Sequence, residues 1–149
     1  ILAEQLSKLT PAPTSEAKDG APIKPGHIYI APGDFHMRIA KRHGAAVIAL
    51  DQTPPVNFCR PAVDPLFASA AEHYGPRVMA AVLTGMGQDG KRGADIITQK
   101  GGAVLAQDEA SSVVWGMPGA VATAGLACCI RPLAEIGPAI LALSQGKNP

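Results

Sequence analysis

The stretch Val82-Leu83-Thr84-Gly85-Met86-Gly87-Gln88-Asp89-Gly90 decides how the chain is interpreted. It joins an apolar run over 78–83, typical of a buried parallel strand, to a helical pattern that begins at Asp89. A strand that ends against the start of a helix is where open α/β sheets place ligands and catalytic groups. The function therefore depends on whether this glycine turn holds a phosphate or presents the Asp89 carboxylate.

The second half of the chain predicts an α/β fold with three layers, in which a mostly parallel sheet is flanked by helices. Strand and helix patterns alternate there, and such alternation favours a parallel sheet covered on its faces. The predicted strands lie over 78–83, 102–106 and 126–130, and the predicted helices over 89–100, 118–124 and 133–144.

The first half predicts a small antiparallel meander beside that sheet. A helix tail over 1–9 leads into a connector over 10–25 that is rich in Pro, Ala and Lys. Three short strands follow, and a proline-stiffened loop then precedes a helix. The strands are predicted over 27–31, 36–40 and 45–50, the loop over 51–61 and the helix over 63–74.

Composition limits the class of protein. A length of 149 residues is typical of one domain, and 47% apolar with 17% charged residues argues against disorder. The net charge of +1 gives no strong electrostatic reason to bind nucleic acid or an anionic membrane. No apolar run approaches the roughly 20 residues of a membrane span, and the start does not match a secretory signal. Because no Met begins it, we expect the chain to start inside an element.

The three cysteines predict neither a disulfide nor a zinc site. Two of them are adjacent, a spacing that rarely allows a mutual bridge, and no Cys-x-x-Cys pair is present. We expect Cys59, Cys128 and Cys129 to be free thiols in a reducing cytosol, buried as small hydrophobic side chains.

The glycine turn allows a nucleotide-binding interpretation. Gly85, Gly87 and Gly90 have the spacing of the dinucleotide fingerprint, and the pair Asp108-Glu109, about 18 residues after Gly90, stands near where a ribose-binding acid belongs. However, the Asp89 carboxylate at the mouth of the helix would repel a pyrophosphate. A noncatalytic nucleotide-binding or interaction module is therefore the alternative hypothesis.

Asp89 has two further interpretations. It could cap the helix that follows it, since Asp is a favourable N-cap worth about 1 kcal/mol. It could instead be the acid that orients a histidine in a Ser-His-Asp site, with the Met86 amide donating to an oxyanion. Three glycines and a methionine in one short turn exceed what capping alone requires.

Several motifs together resemble the catalytic domain of the bacterial chemotaxis protein-glutamate methylesterases (CheB-type). They follow the family's order and span nearly the whole chain: 24–33 (KPGHIYIAPG), 60–64 (RPAVD), 84–90 (TGMGQDG), 106–111 (AQDEAS) and 114–118 (VWGMP). The resemblance implies that Asp89 belongs to the catalytic triad and that Met86 is an oxyanion donor. It implies methylated chemoreceptor segments as partners, a receiver domain as a candidate regulatory partner, no cofactor and a cytoplasmic location.

The chain departs from the family pattern at the nucleophile and the base. The family's Gly-x-Ser-x-Gly-Gly turn and its Gln-His pair have no counterpart, so we expect the chain to be the C-terminal portion of one catalytic domain, inactive by itself. The serines lack the glycine-flanked elbow of a nucleophile, and the histidines are expected at the surface or partly packed. These residues are Ser69, Ser111, Ser112 and Ser144, and His27, His36, His43 and His73.

Two loop segments are candidate walls of the cleft. Arg60 and the 115–118 segment follow or connect sheet elements, where a substrate segment could rest. Trp115 and Met117 could equally pack in the core, and Arg60 could be a salt-bridged loop residue. The sequence alone leaves these alternatives open.

Overall fold

A computed structural model describes all 149 residues. The chain forms five α-helices and seven β-strands, and strands and helices alternate along its second half, as predicted. In chain order they are α1 Leu2–Ser7, β1 Thr14–Glu16, β2 Ile28–Ile30, β3 His36–Arg42, β4 Ala45–Asp51, α2 Val63–Tyr74, β5 Met79–Val82, α3 Lys91–Gln99, β6 Ala103–Gln107, α4 Met117–Thr123, β7 Cys129–Arg131 and α5 Leu133–Ser144.

A parallel sheet in the order β5-β6-β7 forms the centre of the second half, with helices on both faces. Because side chains alternate along a strand, Val104 and Ala106 of β6 pack with α2, α3 and α4, whereas Leu105 packs with α5. All three side chains are fully buried. The predicted three-layer α/β architecture is confirmed, and the carboxyl ends of β5 and β6 lie at one edge.

The first half holds two small sheets instead of the predicted three-stranded meander. β3 and β4 form an antiparallel hairpin, but β2 pairs in parallel with β1. β1 lies inside the predicted connector. Its residues Thr14, Ser15 and Glu16 are half-buried or exposed. The sequence there lacks the alternation of apolar and polar residues that would indicate a strand. The predicted antiparallel hairpin is confirmed at β3 and β4, but the prediction that 27–31 joins it as a third strand was wrong, because the β2 backbone pairs with β1.

Two helices have the predicted bounds, whereas one helix and one strand begin later than predicted. α2 and α5 have the predicted bounds. α3 begins at Lys91 and not at Asp89, since Gly90 adopts φ 95° at the N-cap. β7 begins at Cys129 and not at 126, because Leu126 and Ala127 pack on the core before the strand starts.

None of the helices combines the length and apolar character needed to cross a bilayer.

Candidate active site

The turn after β5 is held against the segment that leads into α4. The Gly85 amide donates to the Val114 carbonyl (3.0 Å), and the Met117 amide donates to the Gly85 carbonyl (2.8 Å). A Cβ on Gly85 would lie 2.6 Å from the Met117 sulfur, and one on Gly116 would lie 2.8 Å from the Gly85 oxygen. Glycine at 116 therefore lets the two backbones approach, and glycine at 85 leaves room for the Met117 side chain.

Asp89 is buried, with 7% of its surface exposed, and its carboxylate points at the start of α2. Oδ2 accepts the Val63 amide (2.6 Å), while Oδ1 accepts the Asp64 amide (3.1 Å) and the Gly90 amide (3.0 Å). The carboxylate thus satisfies the first two amides of α2, where the helix dipole favours a negative charge. Oδ2 accepts only the Val63 amide and retains acceptor capacity.

Asp64 performs the same task for the other helix. Its Oδ1 accepts the Gly90 amide (3.0 Å) and the Gly93 amide (2.8 Å) at the start of α3. Asp64 in α2 therefore caps α3, and Asp89, which lies just before α3, caps α2. The interpretation in which Asp89 caps the helix that follows it is not supported: apart from the adjoining Gly90 amide, its backbone partners lie at the start of α2.

Asn57 bridges the two carboxylates. Its Nδ2 donates to Asp64 Oδ2 (2.9 Å) and to Asp89 Oδ1 (3.0 Å). Two buried acids side by side repel each other, and this shared amide, together with the helix amides, compensates that repulsion. Sequence reasoning missed Asn57 and the capping role of Asp64, because neither position has a local signal for a partner about 30 residues away.

Arg60 stabilises the loop that carries Asn57 through hydrogen bonds and an ion pair. Its guanidinium donates to the Asp34 carboxylate and to the carbonyl oxygens of Gln52 (3.1 Å) and Thr53 (3.3 Å). The hydrogen bond from Arg60 lowers the pKa of Asp34 below its ordinary value. Arg60 is thus a salt-bridged residue of the loop beside the site.

The turn itself presents free donors. The backbone amides of Met86, Gly87 and Gln88 have no acceptor within the chain. The Met86 side chain is 86% exposed, and a concavity of about 360 Å³ is lined by Asn57, Phe58, Gly87 and Gln88. Unpaired amides at the mouth of a concavity are the donor type that stabilises a developing oxyanion.

Gln107 connects the turn to the loop after β6. Its buried side chain accepts the Thr84 amide (2.8 Å) and donates to the Ser111 carbonyl (2.9 Å), while its backbone carbonyl accepts the Trp115 indole N–H (3.0 Å). Trp115 is half-buried, and Met117 packs against the main core cluster. Both therefore have packing roles beside the turn.

None of the chain's histidines or serines hydrogen-bonds to Asp89. His36 is fully buried, which corrects the expectation of a surface or partly packed position. Its Nδ1 accepts the Ala62 amide (3.2 Å) and its Nε2 faces the Pro54 carbonyl (3.1 Å), so the proton lies on Nε2. Ser111 is engaged with Asp108 and Gln107. No group of three or more His, Cys, Asp or Glu side chains is placed to share a metal ion.

The cysteines are only partly as expected. Cys129 is buried, but Cys59 and Cys128 are exposed, so the prediction of three buried thiols was wrong for two of them. Cys59 lies in the loop of Asn57, and Cys128 precedes β7; both are outside the apolar layers.

The geometry also weakens the nucleotide-binding alternative. The Gly90 and Gly93 amides, which a phosphate would need, are already occupied by carboxylates. Asp108, the candidate ribose acid, accepts the amide (3.0 Å) and hydroxyl (2.6 Å) of Ser111 in a local turn.

Comparison with known proteins identifies the family. The model of the CheB methylesterase family matches residues 1–140. The crystal structure of the Thermotoga maritima CheB methylesterase catalytic domain superposes with a TM-score of 0.92 at 40% identity, covering 95% of this chain and 75% of that one.

Sequence relatives agree with that structural match. A protein-glutamate methylesterase/protein-glutamine glutaminase of Rhodopseudomonas palustris is 58% identical over 146 residues, which are 98% of this chain and 37% of the relative. One from Rhodospirillum rubrum is 56% identical over 141 residues, 95% of this chain and 36% of the relative. The chain thus spans little more than a third of the length of these relatives. On its sequence and its fold together, it belongs to the CheB methylesterase family.

Proposed function

We propose that this chain supplies the aspartate of a Ser-His-Asp site that hydrolyses glutamate γ-methyl esters on cytoplasmic chemoreceptor segments, with related glutamine deamidation. The observation that carries the proposal is the buried Asp89 carboxylate, fixed by four donors but with acceptor capacity left at Oδ2, in the same turn as the unpaired Met86 amide. The names of the relatives supply the reaction: methylesterase and glutaminase.

The proposed chemistry is acyl transfer. A serine oxygen attacks the ester carbonyl while a histidine takes its proton, and that proton then leaves with methanol. Water hydrolyses the resulting acyl-enzyme to a glutamate carboxylate; with a glutamine substrate the leaving group is ammonia. Asp89 orients the histidine through Oδ2, and the Met86 amide donates to the oxyanion. Gly85, Gly87 and Gly90 shape the turn.

The serine and the histidine are proposed to lie in a segment that precedes residue 1 in the complete catalytic domain. The chain has no serine in a glycine-flanked elbow, and its buried histidine, His36, has both ring nitrogens engaged. On this proposal the chain is the C-terminal portion of one domain, works in the cytoplasm, and has little or no activity by itself. A receiver domain in the full-length protein is a candidate regulator.

A chimera tests the proposal. The first strand-helix-strand segment of the Thermotoga maritima catalytic domain is placed before residues 1–149, and methanol release from a methylated receptor fragment is measured. We expect activity in the chimera and a loss on the order of 10³-fold or more in kcat for Asp89→Asn. The matched control is Asp95→Asn, the same change at an exposed position of α3, which should leave kcat unchanged.

Two results would contradict the proposal. An active chimera whose Asp89→Asn variant keeps its kcat would remove Asp89 from the mechanism. Ester hydrolysis by the 149-residue chain alone, abolished by Asp89→Asn, would show that a nucleophile lies within residues 1–149.

A further inference from the structure

Asn57 is the only side chain that donates to the Asp89 carboxylate, since the other three donors are backbone amides. Its Nδ2 donates to Asp89 Oδ1 (3.0 Å) and to Asp64 Oδ2 (2.9 Å). A side-chain amide nitrogen carries two hydrogens, so both are used. Asn57 therefore ties Asp89 to Asp64 from a third element, the loop between β4 and α2.

The donors divide unequally between the two oxygens of Asp89. Oδ1 accepts three of them, from Asn57, Asp64 and Gly90, whereas Oδ2 accepts the Val63 amide alone. The terminal torsion of an aspartate is soft, so a carboxylate held by few donors can turn and present either oxygen. The Asn57 amide adds the third donor to Oδ1 and so fixes which oxygen stays open.

The backbone at position 57 limits which residue can do this. Asn57 has φ 51° in a turn that is closed by two hydrogen bonds between the backbones of Val56 and Cys59 (3.0 and 2.9 Å). Glycine, asparagine and aspartate are the residues that most readily adopt this left-handed conformation. Of these three, only asparagine has a side chain that can donate to two acceptors at once.

The neutrality of this donor matters for the chemistry. A lysine or arginine in its place would form an ion pair with Asp89 and offset the negative charge that stabilises an imidazolium. The Asn57 amide holds both carboxylates without adding a positive charge. Arg60, the cation of the same loop, is paired with Asp34 instead.

We propose that Asn57 is a positioning residue for the reaction. Its amide holds the Asp89 carboxylate with Oδ1 occupied and Oδ2 open, so that Oδ2 faces the histidine. The effect of Asn57 on catalysis passes through Asp89, and Asn57 itself touches neither the ester nor the serine. This inference rests on the proposed function and adds a residue that no spacing in the sequence indicates.

The chimera with the Thermotoga maritima segment tests the role of Asn57. Asn57→Gly removes the amide but keeps the turn, because glycine adopts a positive φ without strain. We expect kcat for methanol release to fall about 10- to 100-fold while KM changes less than about twofold, because a misplaced catalytic group slows the reaction without weakening substrate binding. The matched control is His43→Gly: His43 also has φ 51° but is exposed in the turn between β3 and β4, so kcat should not change.

Two further variants separate positioning from packing. Asn57→Asp keeps the shape of the side chain and its tolerance of positive φ, but it replaces the donor with a third carboxylate. We therefore expect its kcat at neutral pH to be at least as low as that of Asn57→Gly. The double variant of Asn57→Gly with Asp89→Asn should have the kcat of Asp89→Asn alone, because Asn57 then has no carboxylate left to position.

The inference is overturned if Asn57→Gly keeps the parent kcat, if its loss appears in KM instead, or if His43→Gly loses as much activity. It is equally overturned if Asn57→Asp keeps the parent kcat, or if the two losses multiply in the double variant. Failure of this inference is distinguishable from failure of the proposed function. If Asp89→Asn lowers kcat and Asn57→Gly does not, only the role of Asn57 is rejected; if Asp89→Asn leaves kcat unchanged, both are rejected.

Discussion

Replacing Asp89 with alanine should weaken the fold as well as any activity. The carboxylate accepts the Val63 and Asp64 amides at the start of α2, and both lose their partner in the variant. A buried amide left without an acceptor costs about 1–3 kcal/mol, and loss of an N-cap typically costs about 1 kcal/mol. Because the two descriptions overlap, we expect a loss of about 3 kcal/mol in the free energy of unfolding.

A loss of that size leaves a measurable folded state, since domains of this kind unfold with about 5–15 kcal/mol. Urea titration at pH 7, followed by circular dichroism and Trp115 fluorescence, gives the difference. Asp95→Ala removes the same charge from an exposed position of α3 and should change stability by less than about 0.5 kcal/mol. If Asp89→Ala and Asp95→Ala differ by less than about 0.5 kcal/mol, the capping of α2 by Asp89 is refuted.

Three further predictions concern other parts of the fold. Gly93→Ala should cost about 2 kcal/mol in urea unfolding, because its Cβ would lie 2.4 Å from the Phe67 Cβ, whereas Gly137→Ala in α5 meets nothing within 4 Å and should be neutral or stabilising. Hydrogen bonding from Thr53 is the largest cause that lowers the pKa of Asp51 to about 2, below the roughly 3.9 of an unfolded chain. The resulting stabilisation is complete above that higher value and is lost as pH falls towards 2, so Asp51→Asn should reduce stability at pH 7 and flatten its acid dependence in urea titrations. Burial raises the pKa of the Cys129 thiol, so a chromogenic disulfide reagent should react quickly with two thiols and slowly with the third, in the order Cys59 and Cys128 before Cys129; equal rates for all three would contradict it.

Local signals sufficed for the parallel half of the fold. The Gly75-Pro76 break and the apolar spacing of 63–74 set the bounds of α2, and the strand-turn-helix at Gly85 to Gly90 is present. Local sequence signals failed for β1, because Thr14–Glu16 owe their strand conformation to backbone pairing with β2 and not to a side-chain pattern. Parallel pairing of distant segments has no period in the sequence that would reveal it.

The sequence drew attention to Asp89 but could not predict the contacts of its carboxylate. Asp89 stood out because a carboxylate inside a glycine turn is chemically specific. Its partners Asn57 and Asp64 come from a proline-rich loop and a helix start, where the sequence offers no reason to pair them with Asp89. Exposure was equally unpredictable: Phe58 looks like a core residue by type and is fully exposed.

The exchange of carboxylates between α2 and α3 has a consequence for how this part of the chain acquires structure. Apart from the Gly90 amide, which also donates to the adjoining Asp89, the first amides of the two helices find their side-chain acceptors only when the helices are docked against each other. A short helix formed alone is marginal in water, so the two should order together, in one cooperative step that also places the Asp89 carboxylate. Hydrogen exchange at Val63, Asp64, Gly90 and Gly93 should then report a single opening free energy, because the Asp89 carboxylate and the two helix starts form one folding unit.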